Sequence, residues 1–299
     1  MDQAEKLRNL FENRPMSAGL PQNLSARVIT VTSGKGGVGK TNFTVSLGIY
    51  LRKLGKRVVI LDADFGLANV ELIFGMTPKY SLADMLMGDK SIDEIITEGP
   101  MDLKLISGGS GLSELANITE KQMRFLIGNF EYLDSISDII LIDTGAGISK
   151  SVVNFVKASH ETILITTPEP TSITDAYALI KTIHEEGAEM PEFKVIVNRV
   201  DDSQEGAEIF EKLHRVSERF MGIGLESLGA VPFDVNLIKA VKQQKPVALC
   251  FPNTAFSKSL EAISARLLDL PTGPVKPAEN AGVQSFIKRL AHLFGSRAQ

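Results

Sequence analysis

Ser33-Gly34-Lys35-Gly36-Gly37-Val38-Gly39-Lys40-Thr41 follows the apolar run Val28-Ile29-Thr30-Val31 and leads into a helical pattern that begins near Asn42. Gly34, Gly39, Lys40 and Thr41 fit the G-x-x-x-x-G-K-[ST] template, in the context that template requires, a strand before and a helix after. Glycines let the backbone turn its N–H groups inward around phosphate oxygens, and the helix N-terminus adds partial positive charge. The stretch predicts a phosphate cradle made of Gly34, Gly36, Gly37, Val38, Gly39, Lys40, Thr41 and Asn42. Lys40 is expected on the β- and γ-phosphates of a nucleotide, and the Thr41 hydroxyl on Mg²⁺.

Two acidic segments belong to the same chemistry. Asp62 and Asp64 close the second strand in Leu61-Asp62-Ala63-Asp64-Phe65-Gly66. Ligands of open α/β sheets bind at the carboxyl ends of strands, so both side chains can approach the phosphates. There they can share the work of holding Mg²⁺ through water and orienting a nucleophilic water. Ile139-Ile140-Leu141-Ile142-Asp143 is an apolar strand ending in an acid, followed by Thr144-Gly145-Ala146-Gly147. Asp143 is expected to hold the Mg²⁺ hydration shell, with the glycines letting the next segment sense a γ-phosphate. The predicted metal set is Thr41, Asp62 and Asp143.

Composition narrows the function classes. A chain of 299 residues with 43% apolar and 23% charged residues is globular and long enough to bury a sizeable core. Cys250 is the only cysteine, which excludes disulfides and cysteine-ligated clusters and fits a reducing cytosol. A net charge of −4 gives no global pull towards nucleic acid. No apolar run is long enough to span a membrane, and the polar N-terminus is no signal peptide. His160, His184, His214 and His292 lack metal-ligand spacing.

From Arg27 onward, apolar strand runs alternate with helical patterns, so the expected fold is α/β: a mostly parallel, doubly wound P-loop sheet flanked by helices. Strands are predicted at 28–32, 57–61, 103–106, 139–142, 162–166, 194–197 and 227–231. Long helices are predicted at 41–54, 120–135, 172–186, 204–220 and 255–268, and short ones at 81–88 and 91–97 behind Ser81 and Ser91. Residues 27–270 form the expected ATPase domain, with tethered amphipathic helices on both sides. In 1–26, Ala4, Leu7, Leu10 and Phe11 share a helical face, followed by a linker containing Pro15, Gly19 and Pro21. In 271–299 a Pro-rich leash precedes Val283, Phe286, Ile287, Leu290, Leu293 and Phe294, one continuous apolar stripe flanked by Lys288 and Arg289. That tail predicts a peripheral anchor on anionic membrane lipids, with Phe286, Ile287, Leu290, Leu293 and Phe294 entering the interface. The competing expectations are a last helix packed on the domain and a coupling helix for a protein partner.

Lys35 sharpens the loop, because a second lysine after the first glycine adds nothing to a tight turn. The pattern K-G-G-x-G-K-T resembles the deviant Walker A loop of the MinD/ParA ATPases, in which this lysine reaches into the partner subunit's nucleotide. The resemblance covers about Val28 to Leu268 and implies a slow Mg²⁺-dependent ATP hydrolase that cycles between ATP and ADP and dimerises on ATP. It makes Lys35, Lys40 and Asp64 the catalytic residues, and implies that Asn198, Arg199, Pro232 and Asp234 frame the adenine. Gly66-Leu67-Ala68-Asn69-Val70 looks like the MinD switch segment, but Ala68 and Gly145 depart from the division-site proteins. Asp2-Gln3-Ala4-Glu5-Lys6-Leu7-Arg8 is similar to the D-Q-A-x-x-L-R peptide of the FlhG (FleN/YlxH) family, MinD-type regulators of flagellar number and placement. That resemblance implies stimulation of an FlhF-type GTPase of the signal-recognition-particle class through Gln3, Leu7 and Arg8. It further implies flagellar C-ring partners, no nucleic acid, and a cytoplasmic protein reversibly on the inner face of the cell membrane. The alternatives are a division-site MinD ATPase and a ParA-type DNA-partitioning ATPase.

Overall fold

The computed structural model describes residues 25–64, 69–88, 90–109, 120–187, 189–269 and 282–295. The expectations for Gln3, Leu7 and Arg8, for 65–68 and for the Pro271 leash lie outside the described residues. Eight strands form one sheet: β1 (Arg27–Ser33), β2 (Val58–Ala63), β3 (Ile96–Glu98), β4 (Lys104–Ser107), β5 (Ile139–Ala146), β6 (Glu161–Thr166), β7 (Glu192–Val200) and β8 (Glu226–Pro232). Their order is β3-β4-β2-β5-β1-β6-β7-β8, parallel throughout except where β3 runs against β4. β1 lies in the middle, with Val28 beside Ile140 of β5 and Thr30 beside Thr162 of β6. Its residues are buried on both sides from Val28 to Ser33, as the unbroken apolar run requires of a strand covered on two faces.

The helices are α1 (Lys40–Lys53), α2 (Val70–Phe74), α3 (Leu82–Leu86), α4 (Ile92–Ile95), α5 (Glu120–Ile136), α6 (Lys150–Ala158), α7 (Pro170–Glu185), α8 (Ser203–Met221), α9 (Val235–Lys242), α10 (Val247–Cys250), α11 (Ala255–Asp269) and α12 (Val283–Gly295). Phe43 and Leu47 of α1 share one core with Leu260 and Ile263 of α11. Leu133 of α5, Phe155 of α6 and Phe286 of α12 belong to a second core, and α7 and α8 build a third with Leu179 and Leu213.

The predicted elements recur with two kinds of difference. Residues 91–97 are helical only over α4; Ile96 and Thr97 are β-branched and pair with Ile106 and Leu105 as a short edge strand. α2, α6, α9 and α10 lie outside the predicted helices; in α6, Val152, Val153 and Val156 weaken a helical pattern. Tertiary burial and an N-cap at Ser149, whose Oγ accepts the Val152 N–H at 3.4 Å, form α6 nonetheless.

The tail differs from the anchor expectation. Val283, Phe286, Ile287, Leu290 and Phe294 are buried against α5 and α6, and Leu293 packs against the same cluster. The Phe155 ring lies 6.3 Å from that of Phe286 and 6.1 Å from that of Phe294. In this conformation the stripe faces protein, so lipid would have to compete with a formed apolar contact.

At the amino ends of the strands sits a buried ion cluster. Arg27 grips Glu161 with two N–H groups at 2.9 and 2.7 Å, and the Lys194 ammonium, 1% exposed, lies 3.1 Å from the same carboxylate. Burial alone would push the Glu161 carboxyl up; Arg27 and Lys194 outweigh it and hold it below the usual carboxylate range. A depressed acid pKa gives stability that is present above the unfolded value, near pH 4, and is lost as pH falls through the folded one. Glu161→Ala is expected to cost about 3 kcal/mol at pH 7, because Lys194 loses its best-buried partner. Urea unfolding from pH 7 to pH 3 should also show a shallower acid slope in the variant than in the parent.

Candidate nucleotide-binding site

The turn from β1 into α1 opens a cleft of 490 Å³ at the carboxyl edge of the sheet. Gly36, Gly37, Gly39, Lys40, Thr41 and Asn42 line it from the loop, Asp64 from just after β2 and Arg199 from the end of β7. Two glycines are fixed by geometry. Gly39 sits at φ +94°, and a Cβ there would fall 2.6 Å from the Asn198 amide. A Cβ on Gly34 would fall 2.2 Å from the backbone carbonyl of Asp175, where α7 closes on the loop.

Below the loop, Lys40 Nζ and the Thr44 hydroxyl both donate to Asp143 Oδ1 at 3.1 Å. Asp143 is fully buried, and burial raises its carboxyl above the usual range against the pull of Lys40 and Thr41. Its second oxygen, Oδ2, is buried with no hydrogen-bond partner among the described residues. An orphaned buried carboxylate oxygen, on a group that interacts with Thr41 and Asp62, fits the hard oxygen-ligand set of Mg²⁺. Asp62 is almost fully buried and accepts the N–H groups of Asp64, Asn69 and Val70 at 3.0, 3.0 and 3.1 Å. It thereby ties the start of α2 to the end of β2. Asp64 is half-buried, lines the cleft, and has Oδ1 3.5 Å from where a Cβ on Gly145 would sit.

Lys35 is not among the residues that line the cleft. Its ammonium donates to Glu169 at 2.5 Å and to the Thr171 hydroxyl at 2.9 Å, and its side chain is 36% exposed. Lys35 holds the Glu169 carboxyl below its usual range.

The model of the CobQ/CobB/MinD/ParA nucleotide binding domain matches residues 29–247. The chain belongs to that family. It is 39% identical over 264 residues to the antiactivator FleN of Pseudomonas aeruginosa, covering 88% of this chain and 93% of that protein. It is 36% identical over 297 residues to the flagellum site-determining protein YlxH of Helicobacter pylori, covering 98% and 99%. Among solved structures, the MinC:MinD cell division complex of Aquifex aeolicus superposes with a TM-score of 0.66 at 27% identity, covering 84% of this chain and 99% of that one. The mostly parallel sheet flanked by helices is the fold this chain shares with that MinD structure.

The residues expected around a base lie at the carboxyl ends of β7 and β8, with Arg199 on the wall of the cleft. Asn198 is buried and donates to the Val38 carbonyl at 2.7 Å, so it braces the loop rather than presenting a free amide. Arg199, in the left-handed region at φ 62°, donates to the Gly37 carbonyl at 2.6 Å. Pro232 lines a separate 400 Å³ cavity with Val200 and Asp202. Asp234 is spent as the N-cap of α9, accepting the Asn236 N–H at 2.8 Å. Sequence reasoning missed Thr44, Leu72, Val241 and Gln244. Thr44 lies one helical turn after Lys40, a spacing that could have signalled it; the other three come from segments distant in sequence.

The Asp62 carboxyl is pushed up to about 7, by burial first and the charge of Asp143 second. With the folded pKa above the unfolded value of about 3.9, the native state holds the proton more tightly. Stability of the ligand-free protein is therefore expected to fall as pH rises from about 4 to about 7. Asp62→Asn should flatten that slope in urea titrations followed by circular dichroism.

Proposed function

We propose that this protein is an ATP-driven switch of flagellar assembly: two subunits join face to face around ATP, and slow Mg²⁺-dependent hydrolysis to ADP separates them. The observation that carries the reading is the place of Lys35 outside the lining of the cleft. Lys40 already serves the protein's own cradle, and Lys35 is held at the rim by an exposed ion pair that a stronger anion can displace. A partner's nucleotide supplies such an anion. In this reading Lys40 leaves Asp143 for the phosphates, Thr41, Asp62 and the freed Asp143 carboxylate hold Mg²⁺, and Asp64 orients the attacking water. Bound Mg²⁺ would neutralise charge on the phosphates. Asn198 and Arg199 keep the loop in shape from below, and can frame the base only by giving up their bonds to it.

The two ends make the switch useful. α12 has the apolar stripe and basic flank of an interfacial helix but is stored on α5 and α6. Membrane association therefore takes the form of undocking, with two released helices in a dimer binding anionic lipid far better than one. Among the described residues no helix is long and apolar enough to cross a membrane, which suits a peripheral, reversible anchor. Gln3, Leu7 and Arg8 would engage an FlhF-type GTPase, with C-ring components as further partners; likeness to FleN and YlxH supports this flagellar setting.

Light scattering with ATP tests the cycle. Asp64→Ala is expected to accumulate an ATP-bound dimer, whereas Lys35→Ala stays monomeric while retaining nucleotide; a monomeric Asp64→Ala would refute the switch. Liposome co-sedimentation tests the anchor. The full chain should pellet with anionic vesicles more strongly with ATP than with ADP, and a truncation at Pro271 should not pellet. Phe155→Ala, which removes the ring between Phe286 and Phe294, should raise pelleting without nucleotide.

A further inference from the structure

The root of the N-terminal segment and the C-terminal helix meet at one point. The Ser25 hydroxyl donates to the Asp134 carboxylate at 2.9 Å, and the Ala26 N–H donates to Asp134 Oδ1 at 2.8 Å. Asp134 lies in the last turns of α5, the helix against which α12 packs. The Ala26 side chain, 1% exposed, is part of the same apolar cluster as Val283 and Phe286. Gly282, the residue that opens α12, lies so close that a Cβ on it would overlap the Ser25 hydroxyl; its φ is +99°, and its carbonyl accepts the Phe286 N–H at 3.0 Å. The chain thus enters the domain at Ser25 through the same contact by which α12 begins.

We infer that docking of α12 and fixation of the N-terminal segment at Ser25 and Ala26 are one coupled equilibrium, joined through Asp134 and Gly282. Undocking α12 removes Val283 and Phe286 from the apolar cluster that buries Ala26 and takes Gly282 from beside Ser25, so the bonds to Asp134 open to water. Conversely, a protein that binds residues 1–24 and draws Ser25 off Asp134 weakens the seat of α12. Linkage makes the effect reciprocal and equal in free energy in both directions. A partner of the N-terminal segment and an anionic membrane would then favour the same open form without touching one another. That consequence rests on the anchor reading above; the coupling itself does not.

Hydrogen–deuterium exchange on the full, ligand-free chain tests it without lipid or partner. In Asp134→Ala the α12 amides from Leu290 to Phe294 are expected to exchange about tenfold faster, and in Asp134→Asn, which keeps an acceptor for Ala26, near the parent rate. In Phe286→Asp, which undocks α12 from its own side, the amides of Ala26 and Arg27 should accelerate by a similar factor. The amides of Leu47 and Ile49 in α1, on the opposite face of the sheet, report global unfolding and should stay unchanged in every variant. Unchanged α12 exchange in Asp134→Ala overturns the proposal, as does unchanged Ala26 exchange in a Phe286→Asp protein whose α12 is exposed. Acceleration at both ends with no liposome binding upholds the coupling and removes the membrane reading alone.

Discussion

A buried lysine and a buried aspartate hold the centre of this protein. Lys40 and Asp143 sit under the loop with almost no solvent contact, and neither charge could stay there without the other. Their pairing sets what surrounds them. β1 and β5 must be adjacent for the two to meet, Thr44 must follow Lys40 by one turn to give the same oxygen a second donor, and the glycines must let the loop pass over the pair. A nucleotide that draws Lys40 away therefore acts on the core of the sheet: it exposes an anion that must find another cation. In the proposed cycle, nucleotide binding and metal capture would be a single event.

The loop itself and the acids around it were legible in the sequence because each depends on local pattern. Ser33 to Thr41 needs only a strand, glycines and a helix start, and Asp62, Asp64 and Asp143 need only to follow apolar strands. Position in the chain fixes their place at the carboxyl edge once the sheet is parallel. The walls of the cleft were not legible. Leu72, Val241 and Gln244 reach it from α2, from α9 and from the turn after it, through packing that no short-range spacing encodes. Asn198 shows a subtler limit: a place framing a base was expected of it, but not the donation to the Val38 carbonyl, which depends on distances of a few tenths of an ångström.

The ends of the chain show a different limit. The stripe from Val283 to Phe294 establishes that α12 must cover apolar surface, but the same stripe suits lipid and protein equally. Only the groove between α5 and α6, with Phe155 presented between two rings, decides which is covered in this state. Amphipathicity states a need for a partner, and the fold names the one at hand.

The two margins of the sheet bear on how large an assembly can grow. β3 offers three residues, runs against its neighbour and carries the Glu98–Lys104 ion pair on its outer end. β8 shifts register between its Ser227 and Gly229 pairings with β7 and ends at a proline. Short, charged, bulged and proline-ended borders make poor templates for strand addition. Copies of this chain are thereby discouraged from joining edge to edge into fibres. In the proposed dimer a head-on pairing would use up the nucleotide face, and assembly would stop at two copies.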